Sequence, residues 1–186
     1  MAIEQPKYKV IKKDGPVELR RYEPYIIAQV KTDSGRFNDA ANEGFRILAG
    51  YIFGGNKSRS KISMAAPVGV SRSEKIAMAA PVTIAGEGEY TVSFVMPRKY
   101  TLDTLPLPDD KRIRFKKVPA STFAVIRFSG RFKGKRFEEK KKELAAWAKS
   151  KKMRTDGEYT AAGYDPPWIP WFLKRNEVMV RVKAAK

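Results

Sequence analysis

Apolar and polar residues alternate along residues 8–12 and again along 17–30, with Asp14-Gly15 between the two runs. That pair is a hairpin signal, so two antiparallel strands are expected. Pro24 interrupts the second run and predicts an edge position or a bulge there. The period then changes. Phe37, Ala41, Gly44, Phe45, Leu48, Tyr51 and Ile52 recur at steps of three and four residues, which predicts an amphipathic helix of about four turns. Asp33 and Ser34 are its candidate caps and Gly54-Gly55 its stop. Residues 61–82 say nearly the same thing twice: Lys61-Ile62-Ser63-Met64-Ala65-Ala66-Pro67-Val68, then Lys75-Ile76-Ala77-Met78-Ala79-Ala80-Pro81-Val82. Each copy is too short for a helix and stops at a proline, so both predict short strands joined by a polar turn into a hairpin. Tyr90, Val92, Phe94 and Met96 alternate with smaller residues as a further strand, ended by Pro97.

After a connecting loop over 102–110, the opening pattern returns. Residues 112–118 alternate, Pro119-Ala120 turns the chain, 123–128 reads as a strand, and 138–149 carries helical spacing through Phe137, Leu144 and Ala148. Two more strands are expected at 158–164 and 176–183. Even the wording repeats: Ser34-Gly35-Arg36-Phe37 precedes the first helix and Ser129-Gly130-Arg131-Phe132 the second. Each half therefore reads strand, strand, helix, strand, strand. The expected fold is α+β: two βαβ-type halves related by a pseudo-two-fold axis, forming a distorted antiparallel β-barrel flanked by two helices. One domain is expected over 1–186, with repeat halves at roughly 7–97 and 111–184.

Composition narrows the chemistry. With 42% hydrophobic residues the chain folds, and without cysteine it has no disulfide, no thiolate nucleophile and no zinc knuckle. The absence of histidine removes the commonest general base and the commonest metal ligand. No paired-carboxylate spacing stands out, so no catalytic set supports an enzyme. The excess of 38 Lys and Arg over 20 Asp and Glu leaves a net charge of +18, a field that attracts anions of every size. Much of it gathers on and around the second helix, from Lys133 to Arg154. Glu138 and Lys142 are a favourable pair there, and a solvated helix face is expected. Aromatic residues do not interleave with this run as a stacking platform requires, which argues against nucleic acid and leaves peripheral contact with an anionic membrane open. Residues 1–6 hold no apolar signal-peptide core and no stretch is long enough to span a bilayer, so a cytoplasmic protein is expected.

Two stretches carry candidate chemistry. Gly50 to Ser58 comes within one residue of a phosphate-binding loop, but its order is helix, glycines, strand rather than strand, loop, helix, so a glycine helix stop is the better reading. Trp168, Trp171 and Phe172 lie in a loop with several prolines. Each such side chain offers roughly 150–250 Å² of surface, worth several kcal/mol at ~25 cal/mol per Å², so they either close one end of the sheet or wall a pocket for a flat apolar ligand. Lys174 and Arg175 follow directly and could bind a carboxylate at the rim.

Four phrases, spread over nearly the whole chain, resemble the SOUL family of haem-binding proteins: Glu18-Leu19-Arg20-Arg21-Tyr22, the run from Gly50 to Pro67, the run from Tyr90 to Pro97, and Tyr164-Asp165-Pro166-Pro167 through Asn176-Glu177-Val178. The resemblance implies a protein that binds haem or another porphyrin, as carrier or buffer, in a shallow apolar groove between the first helix and the proline-rich loop. Carried onto this sequence, the groove would use Asn42, Phe45, Arg46 and Ala49 on the helix and Trp168, Ile169, Trp171, Phe172, Lys174 and Arg175 in the loop. Asn42 and Ile169 stand where animal members have basic groove residues, so carboxylate contacts would fall to Arg46, Lys174 or Arg175. With no histidine, any axial ligand would have to be a residue such as Met64 or Met78, and methionines inside strands are more often core. The alternatives are an effector-type module for another amphipathic small molecule, and a basic protein bound to nucleic acid or anionic membrane.

Overall fold

The computed structural model describes residues 3–59, 73–165 and 168–183. In chain order the elements are β1 (Tyr8–Asp14), β2 (Val17–Tyr22), β3 (Tyr25–Thr32), α1 (Phe37–Ile52), β4 (Asn56–Lys57), β5 (Val82–Ala85) and β6 (Tyr90–Val95). Then come β7 (Leu107–Pro108), β8 (Arg114–Val118), β9 (Ser121–Ser129), α2 (Gly134–Ser150), β10 (Arg154–Thr155), β11 (Thr160–Gly163) and β12 (Arg175–Lys183). Nine strands form one antiparallel, curled sheet in the order β1-β2-β9-β12-β11-β5-β6-β3-β8, with β10 added beside β12. Two helices pack on one face. This is the expected barrel-like α+β fold.

The strand order carries the repeat. Read inward from the two sides, β2-β9-β12-β11 mirrors β8-β3-β6-β5, so the pseudo-axis passes between β11 and β5. Each half lends one strand to the other: β2 pairs with β9 and β8 with β3. Pro24 thus marks neither an edge nor a bulge. It separates two strands that join opposite ends of the sheet, and β3 is paired on both sides. The Ser-Gly-Arg-Phe repeats also meet, with the Phe37 and Phe132 rings 5.5 Å apart.

Period-two alternation sorts the side chains by face. On β6, Val92 and Phe94 point towards α1, where Gly44 lies so close that a β carbon there would fall 2.4 Å from a Val92 methyl, and Phe45 rests on Phe94 at 5.4 Å. Thr91, Ser93 and Val95 point the other way. The main core fills the space beneath the helices, with Leu48, Tyr51, Ile84, Ile126 and Leu144 all fully buried. A second cluster, including Tyr22, Val125, Tyr164 and Met179, occupies the opposite face.

Other expectations need correcting. The α1 N-cap is Arg36, with no side-chain cap bond; neither Asp33 nor Ser34 serves, and Asp39 in the first turn pairs with Arg36 at 2.6 Å instead. The first copy of the doubled phrase lies outside the described residues. The second is not a strand: Ile76 donates to the Ile52 carbonyl, Ala79 bridges Glu4, the Ala80–Pro81 bond is cis, and only Val82 enters β5. On α2 it is Lys141, not Lys142, that meets Glu138, at 3.7 Å, because Lys141 also reaches Glu87 in the β5–β6 turn. Gly54, at φ +125, does terminate α1. Asn56 then clasps the exit, donating to the Tyr51 and Glu74 carbonyls at 2.7 and 2.8 Å and accepting from the Glu74 amide at 2.9 Å. That clasp gives the Gly-Gly-Asn phrase a structural role. No helix among the described residues is long and apolar enough to cross a membrane.

Candidate functional site

At the end of β9 the chain turns through Gly130, whose φ of +120 favours glycine. Asn176 of β12, buried at 2% exposure, holds this turn by donating to the Gly130 carbonyl at 2.8 Å. The turn places Phe132 against Phe37 and brings the Arg131 guanidinium within 5.9 Å of the Trp171 ring centroid. There α2 begins at Gly134, where a β carbon would sit 3.1 Å from that of Phe37. Across from it, residues Trp171–Leu173 form a single 3-10 turn. Trp171 and Phe172 meet edge to face at 5.7 Å but stay 55% and 57% exposed, and Trp168 is 79% exposed.

Between this loop and the start of α2 lies an open cavity of about 620 Å³, walled by Trp171 and Phe172 and ringed by Arg131, Lys133, Lys135 and Arg136. One carboxylate, Glu139, also faces it and pairs with Arg136 at 3.4 Å. Large aromatic surfaces left in water beside a concentration of positive charge suit a flat, apolar, anionic partner. Arg131 lies in the second Ser-Gly-Arg-Phe phrase itself, and Lys133, Lys135 and Arg136 belonged to the run expected to be a solvated helix face. The signal that could have separated them is their position directly after the second Ser-Gly-Arg-Phe turn.

The residues expected to form the groove are divided. Trp171 and Phe172 line the cavity; Trp168 is exposed beyond it, and Ile169 and Lys174 are half-buried. Arg175 does not reach for a rim carboxylate. Its guanidinium lies 3.9 Å from the Tyr164 ring centroid and donates to Glu177 at 3.0 and 2.8 Å and to Gln5 at 3.3 Å. On α1, Asn42, Phe45 and Arg46 are exposed and Ala49 half-buried, a stripe along one side of the helix. None of the four lines the loop cavity; the helix that does is α2. Met78 is a half-buried residue packed on the main core, and Met64 lies outside the described residues. Among the described residues there is no group of three or more acidic side chains that could hold a metal ion.

Two of the phrases that carried the family resemblance, the first and the last, converge on the opposite face of the sheet. Glu177, fully buried, accepts from Arg20 at 2.8 Å and from the Tyr164 hydroxyl at 2.6 Å, and its other oxygen takes the Arg175 fork. Arg20, 3% exposed, also binds Glu18 at 2.9 Å and stacks over Tyr8. Burial alone would lower the Arg20 pKa, but the Glu177 carboxylate more than reverses this and holds it above its ordinary value. Burial, reinforced by the Glu177 charge, pushes the Tyr164 phenol well above the usual range. Asn176 and Glu177 alternate across β12, so one anchors the loop site and the other this network.

A curled antiparallel sheet with internal two-fold repetition and both helices on one face defines a pseudo-symmetric α+β domain. The C-terminal domain of EcmrR has this fold, with a TM-score of 0.60 at 13% identity, covering 96% of this chain and 99% of that one. Within that class the chain belongs to the SOUL heme-binding protein family, whose model matches residues 3–181. It is similar to heme-binding protein 2 of mouse, 26% identical over 98% of this chain and 91% of the relative, and to heme-binding protein 2 of human, 28% identical over 95% and 85%.

Proposed function

We propose that the chain binds haem or a related tetrapyrrole against the exposed aromatic loop, with the porphyrin carboxylates held by cations and no histidine on the iron. The observation that carries this reading is the pairing of Trp171 and Phe172, both more than half exposed, with a cavity of about 620 Å³ ringed by Arg131, Lys133 and Lys135. Covering the exposed half of each ring returns about 2–3 kcal/mol at ~25 cal/mol per Å². Solvent-exposed carboxylate contacts add roughly 0–1 kcal/mol each, so ring burial supplies the affinity and the cations set orientation. Lys174 and the α1 stripe of Asn42, Phe45, Arg46 and Ala49 are the further wall that the family resemblance implies. The side chains lining the site are ammonium, guanidinium, indole and phenyl groups, the Ser129 hydroxyl and the ion-paired Glu139, which suits recognition of the ring and its carboxylates rather than of the metal. When bound, haem would supply its own iron chemistry; the chain's part is to hold the ring and limit access of water.

Titration with haemin and with iron-free protoporphyrin IX, followed at the Soret band at moderate salt, tests this. Both should bind saturably at one per chain, and Trp171→Ala with Phe172→Ala should weaken both at least ~30-fold. Lys133→Glu with Lys135→Glu should weaken both modestly, and Phe45→Ala with Arg46→Ala reports whether α1 takes part. Haemin binding without protoporphyrin binding would refute the proposal, as would indifference to the loop variant. Affinity that collapses with salt in proportion to charge contacts would indicate association driven by charge alone.

A further inference from the structure

The face of the sheet opposite the helices holds a second cavity, of about 340 Å³, to which both repeats contribute. Tyr22, Tyr25, Phe123 and Tyr164 form aromatic walls, and Tyr22 meets Phe123 edge to face at 5.5 Å. Its floor is polar for a reason of register. Thr83 of β5, Ser93 of β6 and Gln29 of β3 are directly opposite one another on successive strands, so all three side chains share this face. Ser93 is only 6% exposed. Among the described residues, none of the three side chains makes a hydrogen bond, and neither does the Tyr25 hydroxyl. Burial raises the Tyr25 phenol to about 12, so it stays a neutral donor at ordinary pH. Polar groups turned into a cavity without protein partners are open to water or to a ligand that can match them.

Charge narrows the ligand. Glu177 lies behind Tyr164, but Arg20 and Arg175 neutralise it. Among the described residues, the charged ones lining the cavity are Lys116 and Glu158, both exposed and opposite in sign. A charged ligand would lose its hydration inside the cavity and find its countercharge only on the solvated Lys116 or Glu158, where it is screened. The volume is about half that of the loop cavity and sits at the small end of ligand pockets. We infer that this cavity is a binding site, separate from the loop, for a small uncharged aromatic molecule carrying hydrogen-bonding groups, seated between the tyrosine walls and the Gln29–Ser93–Thr83 floor.

Calorimetric titration at pH 7 with 2-naphthol, 2-naphthoate and 2-naphthyltrimethylammonium as neutral, anionic and cationic probes tests the inference. The naphthol should bind saturably at one per chain, at least ten-fold tighter than either charged analogue. Ala85→Phe, which fills the cavity from its lining, should abolish naphthol binding while leaving haemin binding intact. Trp171→Ala with Phe172→Ala should leave naphthol binding intact, so failure of the tetrapyrrole reading and failure of this one are distinguishable. Thr83→Val keeps shape and removes one hydroxyl; it should weaken naphthol at least three-fold, and it decides the matter should Ala85→Phe not fold. No saturable naphthol binding, equal or tighter binding of a charged probe, or indifference to the Thr83 change would overturn the inference.

Discussion

Glu177→Ala should be among the most damaging single substitutions in the molecule. The carboxylate is fully buried and serves three partners: Arg20 at 2.8 Å, the Tyr164 hydroxyl at 2.6 Å and the Arg175 fork. Removing it leaves Arg20, 3% exposed, with the partly exposed Glu18 as its remaining ionic partner. Breaking a buried pair from one side costs about 3–5 kcal/mol, and an orphaned Tyr164 hydroxyl adds about 1. A chain of this size loses about 2–4 °C of Tm per kcal/mol, so a fall of about 10–20 °C is expected. Guanidinium unfolding followed by circular dichroism reads the free energy, and a thermal scan the Tm. The mechanism makes a sharper demand on the double mutant. Arg20→Met combined with Glu177→Leu leaves no uncompensated charge from this pair, so it should lose at least ~2 kcal/mol less than the two single changes summed. A loss below ~1 kcal/mol for Glu177→Ala, or additivity within ~0.5 kcal/mol, would refute the reasoning.

Gly44→Ala should destabilise by about 1–3 kcal/mol in a denaturant melt, because the new carbon would fall 2.4 Å from a Val92 methyl and α1 would have to lift from β6. Asn56→Ala should cost about 2–3 kcal/mol by the same assay, since it strands the buried clasp between Tyr51 and Glu74; Asn56→Asp, which keeps the acceptor but turns a second oxygen onto the two carbonyls, should not rescue it at neutral pH. On the acid side, Asp14, Asp110 and Asp156 are held below their ordinary value by hydrogen bonds from Lys151, Arg112 and Lys183 respectively. Their contribution is complete above that ordinary value and is lost as pH falls through the lowered folded values, so Tm should drop on acidification below about pH 4, and less steeply in Asp156→Asn. On the alkaline side, burial raises Tyr22, Tyr25 and Tyr164, so their stabilisation is full below pH ~10 and lost as pH rises through the folded values. Absorbance at about 295 nm should then show a delayed class of tyrosines, with Tyr25 near 12.

Periodicity in the sequence was enough to set both helices, most strands, the hairpin at Asp14-Gly15 and the repeat, because each depends on residues adjacent along the chain. The four family phrases were legible too, though not what they do. Arg20, Tyr164, Arg175 and Glu177 are brought together by pairing β2 with β9 and β9 with β12, contacts that no local pattern encodes. The same long-range pairing turned Pro24 from a presumed irregularity into the crossing point between the halves. It also took Arg175 out of the loop's chemistry and put the start of α2 beside Trp171 and Phe172. The doubled phrase shows the converse: its second copy looks like a strand, yet Ile76 is held by the end of α1 and the ladder begins only at Val82. Alternation along a strand determines which residues share a face. Which strands become neighbours, and so which side chains meet across the sheet, was decided only when the two halves closed around a common core.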